Sequence, residues 1–362
     1  MRISNFNDTF YHGKTGISRD DICVFGREDS MPLFVTDIDR IKLNDELINK
    51  TAGYKVVLFS SLEHIRIDFI YEFIEHCMAN GIKIIFDTFT FGYEDILNEK
   101  FNSDLIVYRP IDLNILKCIE LLRYTHNNAL VVNTNPRNKL LKFCSFNRNL
   151  GKDYIIWELK KRNLLLDTNN IITYHNNVNG MPTKDKIGLM GMRDWYNERE
   201  IELSGDIDFE FLKDFKLVPE SEDFDIGSFQ KEQRARLIDM HNDSMFNIVI
   251  EASYSFTNDE SNPIYNFTSL FTKTVFPLFY KNVIHTMPHQ PKLIEKLKEL
   301  GFELFFDTDD EFFNNMTSEY YNLPETQRKL EHNHNLIVKI NSEAKSKYGE
   351  AGIRWLTNIL TD

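Results

Sequence analysis

The sequence NIVIEASYSF (residues 247–256), followed after an Asn- and Asp-rich break by TSLFTKTVFPLFYKNVIHTMPHQPKLIEKLKELGFELF (268–305), carries two kinds of period in one stretch. The β-branched run at its start predicts a buried strand, and TKTVFPLF predicts a helix. VIHT predicts a second strand, closed by Pro288. PKLIEKLKEL predicts an amphipathic helix, and the apolar residues after Gly301 predict a third strand. Strands separated by helices imply an α/β unit with a parallel sheet. Lys273 falls where the loop becomes the first of these helices. A cation beside a helix N-terminus suits a phosphate, because the exposed N–H groups and the macrodipole act on the same anion.

The same alternation runs outward toward the N-terminus. KVVLFSS (55–61), KIIFDTF (83–89), DLIVYRP (104–110) and ALVVNT (129–134) predict strands, with helices expected over 62–80, 93–101 and 111–125. In parallel sheets ligands meet the carboxyl ends of the strands. Those ends carry Ser60, Ser61 and Glu63, then Asp87 and Thr88, then Arg109, then Asn133. The polar, basic run PRNKLLK (136–142) marks a boundary, and KFCSFNRN opens a second α/β unit with a strand ending in Asn147-Arg148-Asn149. A helix is expected over 151–163 and a strand at IITYHNN (171–177), so Arg148 lies between a strand end and a helix start, where a forked guanidinium suits an anion. The expected organisation is an N-terminal α/β domain over 1–138, a second α/β domain over 139–325, and a helical segment over 326–362. Residues 178–225 form a mixed insertion.

At 362 residues the chain is long for a single core, which fits two domains. Hydrophobic residues at 42% and charged residues at 27% describe an ordinary globular protein. A net charge of −13 argues against a broad nucleic-acid surface, which needs clustered Lys and Arg. Cys23, Cys77, Cys118 and Cys144 are scattered in apolar settings, with no C-x-x-C pair, and are expected to be reduced core thiols. The N-terminus has no apolar leader-like core, and no apolar run approaches the ~20 residues of a membrane span, so a cytoplasmic protein is expected. No G-x-G-x-x-G and no G-x-x-x-x-G-K-[ST] occurs, which disfavours a dinucleotide dehydrogenase and a P-loop NTPase.

Two metal-like patterns are present. Asp37 and Asp39, after the strand-like LFVT (33–36), have the spacing of a cation bridge to a nucleotide diphosphate, but in an acidic chain they also read as a solvated turn. His332 and His334 lack a third ligand at a suitable spacing and read as a helix surface. Arg234 and Arg236 read likewise as a solvated helix face.

KFCSFNRN with its helix, a strand ending in Glu251, TSLFTKTVFPLF, a strand with Pro288, and LIEKLKELGFELF together resemble the donor half of GT-B glycosyltransferases. The likeness is to the fucosyltransferase-like group and related phage and viral sugar transferases, and it covers roughly residues 139–305. Family members carry an Asn-Arg strand end, a strand with Glu, a Thr-Glu-Lys helix start, a strand-Pro loop and a Gly-Phe pair. Here these map onto Asn147 and Arg148, Glu251, Thr272 and Lys273, Pro288, and Gly301 with Phe302. Thr272 stands where the family places an acid. The resemblance implies two Rossmann-like domains facing a cleft, with closing helices crossing back to the first domain. It implies a nucleotide-sugar donor, with Arg148 and Lys273 on its diphosphate and the acidic residues on its ribose or sugar.

In that setting Lys273 and Arg148 do the electrostatic work of a metal ion, so a metal-independent transfer without a cofactor is expected. If configuration is inverted, a carboxylate of the N-terminal domain takes the acceptor proton, and Glu63 and Asp87 are the candidates, Glu63 first. Three functions stay open: transfer to a saccharide, protein or small molecule; transfer to a modified base in DNA, using Lys139, Lys142, Arg148, Lys160, Lys161 and Arg162; and a non-catalytic scaffold that keeps the shell.

Overall fold

The computed structural model describes residues 22–25, 56–61, 71–88, 90–91, 93–108, 110–125, 132, 136–145, 150–174, 239–251, 268–270, 272–286 and 291–348. The expected strands at 33–36 and 129–134, with Asp37, Asp39 and Asn133, fall wholly or mainly outside them, as do Arg109, the insertion 178–225, Arg234 and Arg236.

Two parallel sheets form the frame. The first orders β1 (Ile22–Phe25), β2 (Val56–Ser61), β3 (Lys83–Thr88) and β5 (Ile106–Tyr108) side by side. The unbroken apolar run of β2 is explained by its place between β1 and β3, where Leu58 faces Val24 on one side and Ile85 on the other in register. Helices α1 (Tyr71–Ala79), α2 (Tyr93–Phe101) and α3 (Ile111–Thr125) alternate with these strands.

The second sheet contains β6 (Lys139–Ser145), β7 (Ile171–Tyr174), β8 (Ser244–Val249) and β10 (Val283–Thr286), in the spatial order β10-β8-β6-β7. The first strand in sequence is therefore internal, and the chain winds outward from it in both directions. Helix α4 (Leu150–Lys161) leads from β6 to β7, and α5 (Thr272–Phe279) leads to β10. They cover opposite faces, as alternate residues of β8 record. Phe246, Ile248 and Ile250 pack with Tyr154, Ile155, Ile156 and Leu159 of α4, whereas Val249 packs with Val275, Phe276, Leu278 and Phe279 of α5. Each of those four α5 side chains is buried, and contributes about 1.5–3 kcal/mol.

Helix endings set where strands begin. Gly81, Asn163, Lys281 and Gly301 all have positive φ and end α1, α4, α5 and α6 (Pro291–Glu299). Paired bonds such as Ile82 N–H to the Cys77 carbonyl at 2.9 Å and Gly81 N–H to the Met78 carbonyl at 3.0 Å turn the chain back toward the sheet.

The expected strand at Glu303–Phe305 does not form. The side chain of Asn333 takes both backbone groups of Glu303, accepting from its N–H and donating to its carbonyl, each at 2.8 Å. Lys329 donates to the Leu304 carbonyl at 3.0 Å. A helix thus supplies the bonds that a neighbouring strand would have made. That helix, α9 (Pro324–Tyr348), is 25 residues long and follows α7 (Asp309–Asn315) and α8 (Ser318–Tyr321).

Among the described residues, one helix crosses the expected boundary and one ribbon pairs strands from the two halves. Helix α3 precedes the boundary expected at 138, yet its buried face (Ile115, Cys118, Ile119, Leu122) lies in the same core as α5, α6 and Ile337 of α9. A short antiparallel ribbon pairs β4 (Thr90–Phe91) with β9 (Thr268–Ser269). Cys77 and Cys118 are buried as thiols, not joined in a disulfide. No described helix is long and apolar enough to cross a membrane.

Candidate functional site

In a sheet wound outward from an internal first strand, the crevice opens at the carboxyl ends of the strands where the winding reverses, here β6 and β8. Pairing of Lys142 with Asn247 sets Ser145, the last residue of β6, level with Ile250. The next residue, Glu251, is buried, at 3% exposure. Its Oε1 accepts from the Thr274 N–H at 3.0 Å and from the Thr274 hydroxyl at 2.7 Å. A carboxylate at a helix N-terminus is stabilised by the orphan amides and the macrodipole together. The first turn of α5 carries no acid of its own, so a side chain from the sheet supplies this one.

Lys273 lies in the same turn and is exposed, with Thr272 half-buried beside it. No described carboxylate pairs with Lys273, whereas Lys281, Lys292 and Lys296 each pair with a glutamate. Three of the donor-site residues expected from sequence, Glu251, Thr272 and Lys273, therefore lie at the start of α5. The Thr274 amide is occupied by Glu251, so an anion at this turn meets the lysine rather than that N–H.

Asp87 lies in β3, with its Cα opposite Ser60 of β2, at the carboxyl edge of the first sheet. The ribbon begins at Thr90, and its partner Ser269 precedes Thr272 closely. It therefore ties the end of β3 to the start of α5. Glu63, Asn147 and Arg148 lie outside the described residues. Sequence reasoning missed Thr274, whose only signal is a second threonine after Lys273, and it missed the ribbon.

Of the basic residues named for a DNA acceptor, the described ones, Lys139, Lys142, Lys160, Lys161 and Arg162, do not gather at this crevice. Lys139 starts β6 and donates to the Thr168 carbonyl at 2.7 Å. Lys160, Lys161 and Arg162 close α4, which also ends at the amino edge of the sheet. Glu158 takes Lys161 at 3.0 Å and Arg162 at 3.4 Å, and Arg162 also reaches Asp310 at 2.7 Å. Lys160 lies over the Trp157 ring.

Lys142 is buried, 2.9 Å from His241 Nε2, and the Asn247 amide is 3.0 Å from His241 Nδ1. Burial first, then Lys142 and Arg137, hold the imidazole well below its ordinary range. The lysine can donate to Nε2, and the Asn247 amide nitrogen lies against Nδ1. Arg137 donates to the carbonyls of His241, at 2.8 Å, and of Ser244 and Tyr280. Burial lowers its own pKa. This amino-edge cluster holds strand starts together and faces away from the crevice.

A second buried network lies on the α4 face. His285 Nε2 is 2.6 Å from Asp309 Oδ1, and the Tyr154 hydroxyl donates to Asp309 Oδ2 at 3.0 Å. The imidazole stacks on Phe312 at 4.5 Å. His332 and His334 are both engaged at helix ends, with the Gly301 carbonyl at 2.9 Å and the Phe279 carbonyl at 2.5 Å. Among the described residues no group of three potential ligands could hold a metal ion.

No protein-family model, curated protein or solved structure matches this chain. The fold and site define an α/β protein with two parallel sheets and a crevice at a strand-order reversal.

Proposed function

We propose that the chain transfers a sugar from a nucleotide-sugar donor to an acceptor hydroxyl. The observation that carries this reading is the exposed Lys273 on a helix start whose neighbouring carboxylate, Glu251, is fixed by two bonds to Thr274. In this reading phosphate meets Lys273, and the buried Glu251 fixes the turn that presents it. Arg148, expected from sequence at the end of β6, is the second cation.

In the transfer, the acceptor oxygen bonds to the anomeric carbon and the bond from that carbon to the phosphate oxygen breaks. The diphosphate leaves with the electron pair, neutralised by Lys273 and Arg148. The acceptor proton passes to a carboxylate of the first α/β unit, Glu63 or Asp87. The ribbon supports this division of labour, because it ties the end of β3 to the start of α5.

Thermal unfolding with UDP-, GDP-, ADP- and CMP-linked sugars tests the reading. A donor at ~100 times its Kd adds ~2.7 kcal/mol of stability and raises Tm accordingly. No shift with any of the four at millimolar concentration overturns donor binding and leaves the scaffold reading.

A further inference from the structure

Glu251 is not the only carboxyl group that reaches from one element to hold a helix of the second sheet. Asp309, in the first turn of α7, does the same for α4. The Tyr154 hydroxyl, from the second turn of α4, donates to Asp309 Oδ2 at 3.0 Å, and His285 Nε2 of β10 lies 2.6 Å from Oδ1. Tyr154 and His285 are both buried. The face around them is otherwise apolar, where Ile155, Ile156 and Leu159 of α4 share a core with Phe246, Ile248, Phe312 and Phe313. Apolar contact has no preferred direction, so it holds α4 on the sheet without fixing its place along its own axis. A slip of one residue displaces a helix by about 1.5 Å. Hydrogen bonds to a carboxyl group fix distance and direction together. The neighbouring Asp310 takes Arg162, just beyond the end of α4, at 2.7 Å, but Asp310 is exposed and such a pair adds little. The buried Tyr154–Asp309–His285 network is therefore what sets α4 in register with the sheet.

We propose that Asp309 is a positioning residue for the donor site: through Tyr154 it fixes the start of α4, and with it Arg148, which stands two residues before Leu150 in the sequence. In this role Asp309 acts through Tyr154 and meets no donor atom itself. It sets the place from which the second cation meets the diphosphate, as Glu251 does for the turn that bears Lys273. Well-packed apolar side chains would hold this face as firmly as a buried polar network, so position rather than stability accounts for the network. The inference rests on the donor-site reading.

A double-mutant cycle on the full chain tests this, with UDP-, GDP-, ADP- and CMP-linked sugars as probes and titration calorimetry as the readout. Tyr154→Phe removes only the hydroxyl. It is expected to raise the donor Kd about fivefold or more in the otherwise unaltered chain and in the Lys273→Ala chain, but by less than about twofold in the Arg148→Ala chain. The same fold-change in all three backgrounds is what loosened packing alone would give, and it overturns the inference while the donor site stands. An unchanged Kd for Tyr154→Phe overturns it equally. Asp309→Asn, which keeps the shape and removes the charge, is expected to show the same dependence on Arg148, and it decides the matter should Tyr154→Phe not fold. If none of the four sugars binds the unaltered chain, the donor-site reading falls and this inference with it.

Discussion

Lys273 and Thr274 are adjacent in sequence, yet they answer to different measurements. Lys273→Ala removes an exposed cation and is expected to weaken nucleotide-sugar binding at least tenfold, about 1.4 kcal/mol, while Tm without ligand stays put. Titration calorimetry and thermal unfolding on one preparation check both halves. Thr274→Val deletes a donor to the buried Glu251 and is expected to cost about 1–3 kcal/mol of stability by urea unfolding, whereas Thr274→Ser keeps the donor and most of the stability. The lysine was legible from sequence because charge at a helix start has a local meaning. The threonine was not, because its partner comes from the end of β8, 23 residues away across the fold. Lys142 illustrates the same limit: a lysine amid KLLKFCS reads as a face exposed to water, but His241 and Asn247 meet it inside the core.

At the level of elements, side chains that take over backbone roles are the points most open to test. Asn333→Ala leaves the N–H and carbonyl of Glu303 without their partners, and is expected to cost about 1–3 kcal/mol, while Asn333→Ala in the presence of donor leaves nucleotide affinity unchanged. Lys281 sits at φ 56° at the end of α5, a region that disfavours any side chain. Lys281→Gly is expected to gain up to about 1 kcal/mol, less the small worth of its exposed pair with Glu331. Chemical denaturation of both variants measures these changes. The apolar run of β2 was legible because a strand held between two parallel neighbours carries such a run. The run at Glu303–Phe305 looks the same, but a side chain 30 residues on claims its backbone. Two-residue strands such as β4 and β9 have no period to read, and an amphipathic helix such as α3 declares a buried face without naming what covers it.

Over the whole molecule, acid is expected to act through the amino-edge cluster before it acts on the surface carboxylates. In the folded chain His241 is held neutral well below its ordinary range, whereas in the unfolded chain it titrates near ~6.5. Above that pH neither state binds the proton. Below it the unfolded chain gains a proton that the folded chain refuses, so stability falls as pH drops, at up to about 1.4 kcal/mol per pH unit. His334, lowered mainly by burial, adds to this slope in the same direction. Glu303 and Glu331, whose pKa values Arg328 and Lys281 depress, lose their contributions only at lower pH, below the ordinary carboxylate range of about 4.3. Urea unfolding between pH 7.5 and 5.5 is expected to show the slope, and His241→Asn to flatten it. The three carbonyls bound by Arg137 carry one more consequence. They lie 104, 107 and 143 residues further along the chain. As the chain leaves the ribosome, β6 and β7 emerge first and must wait unpaired on one side until β8 and Tyr280 follow. The second sheet therefore closes late and through non-local pairing, a slow order of events during synthesis.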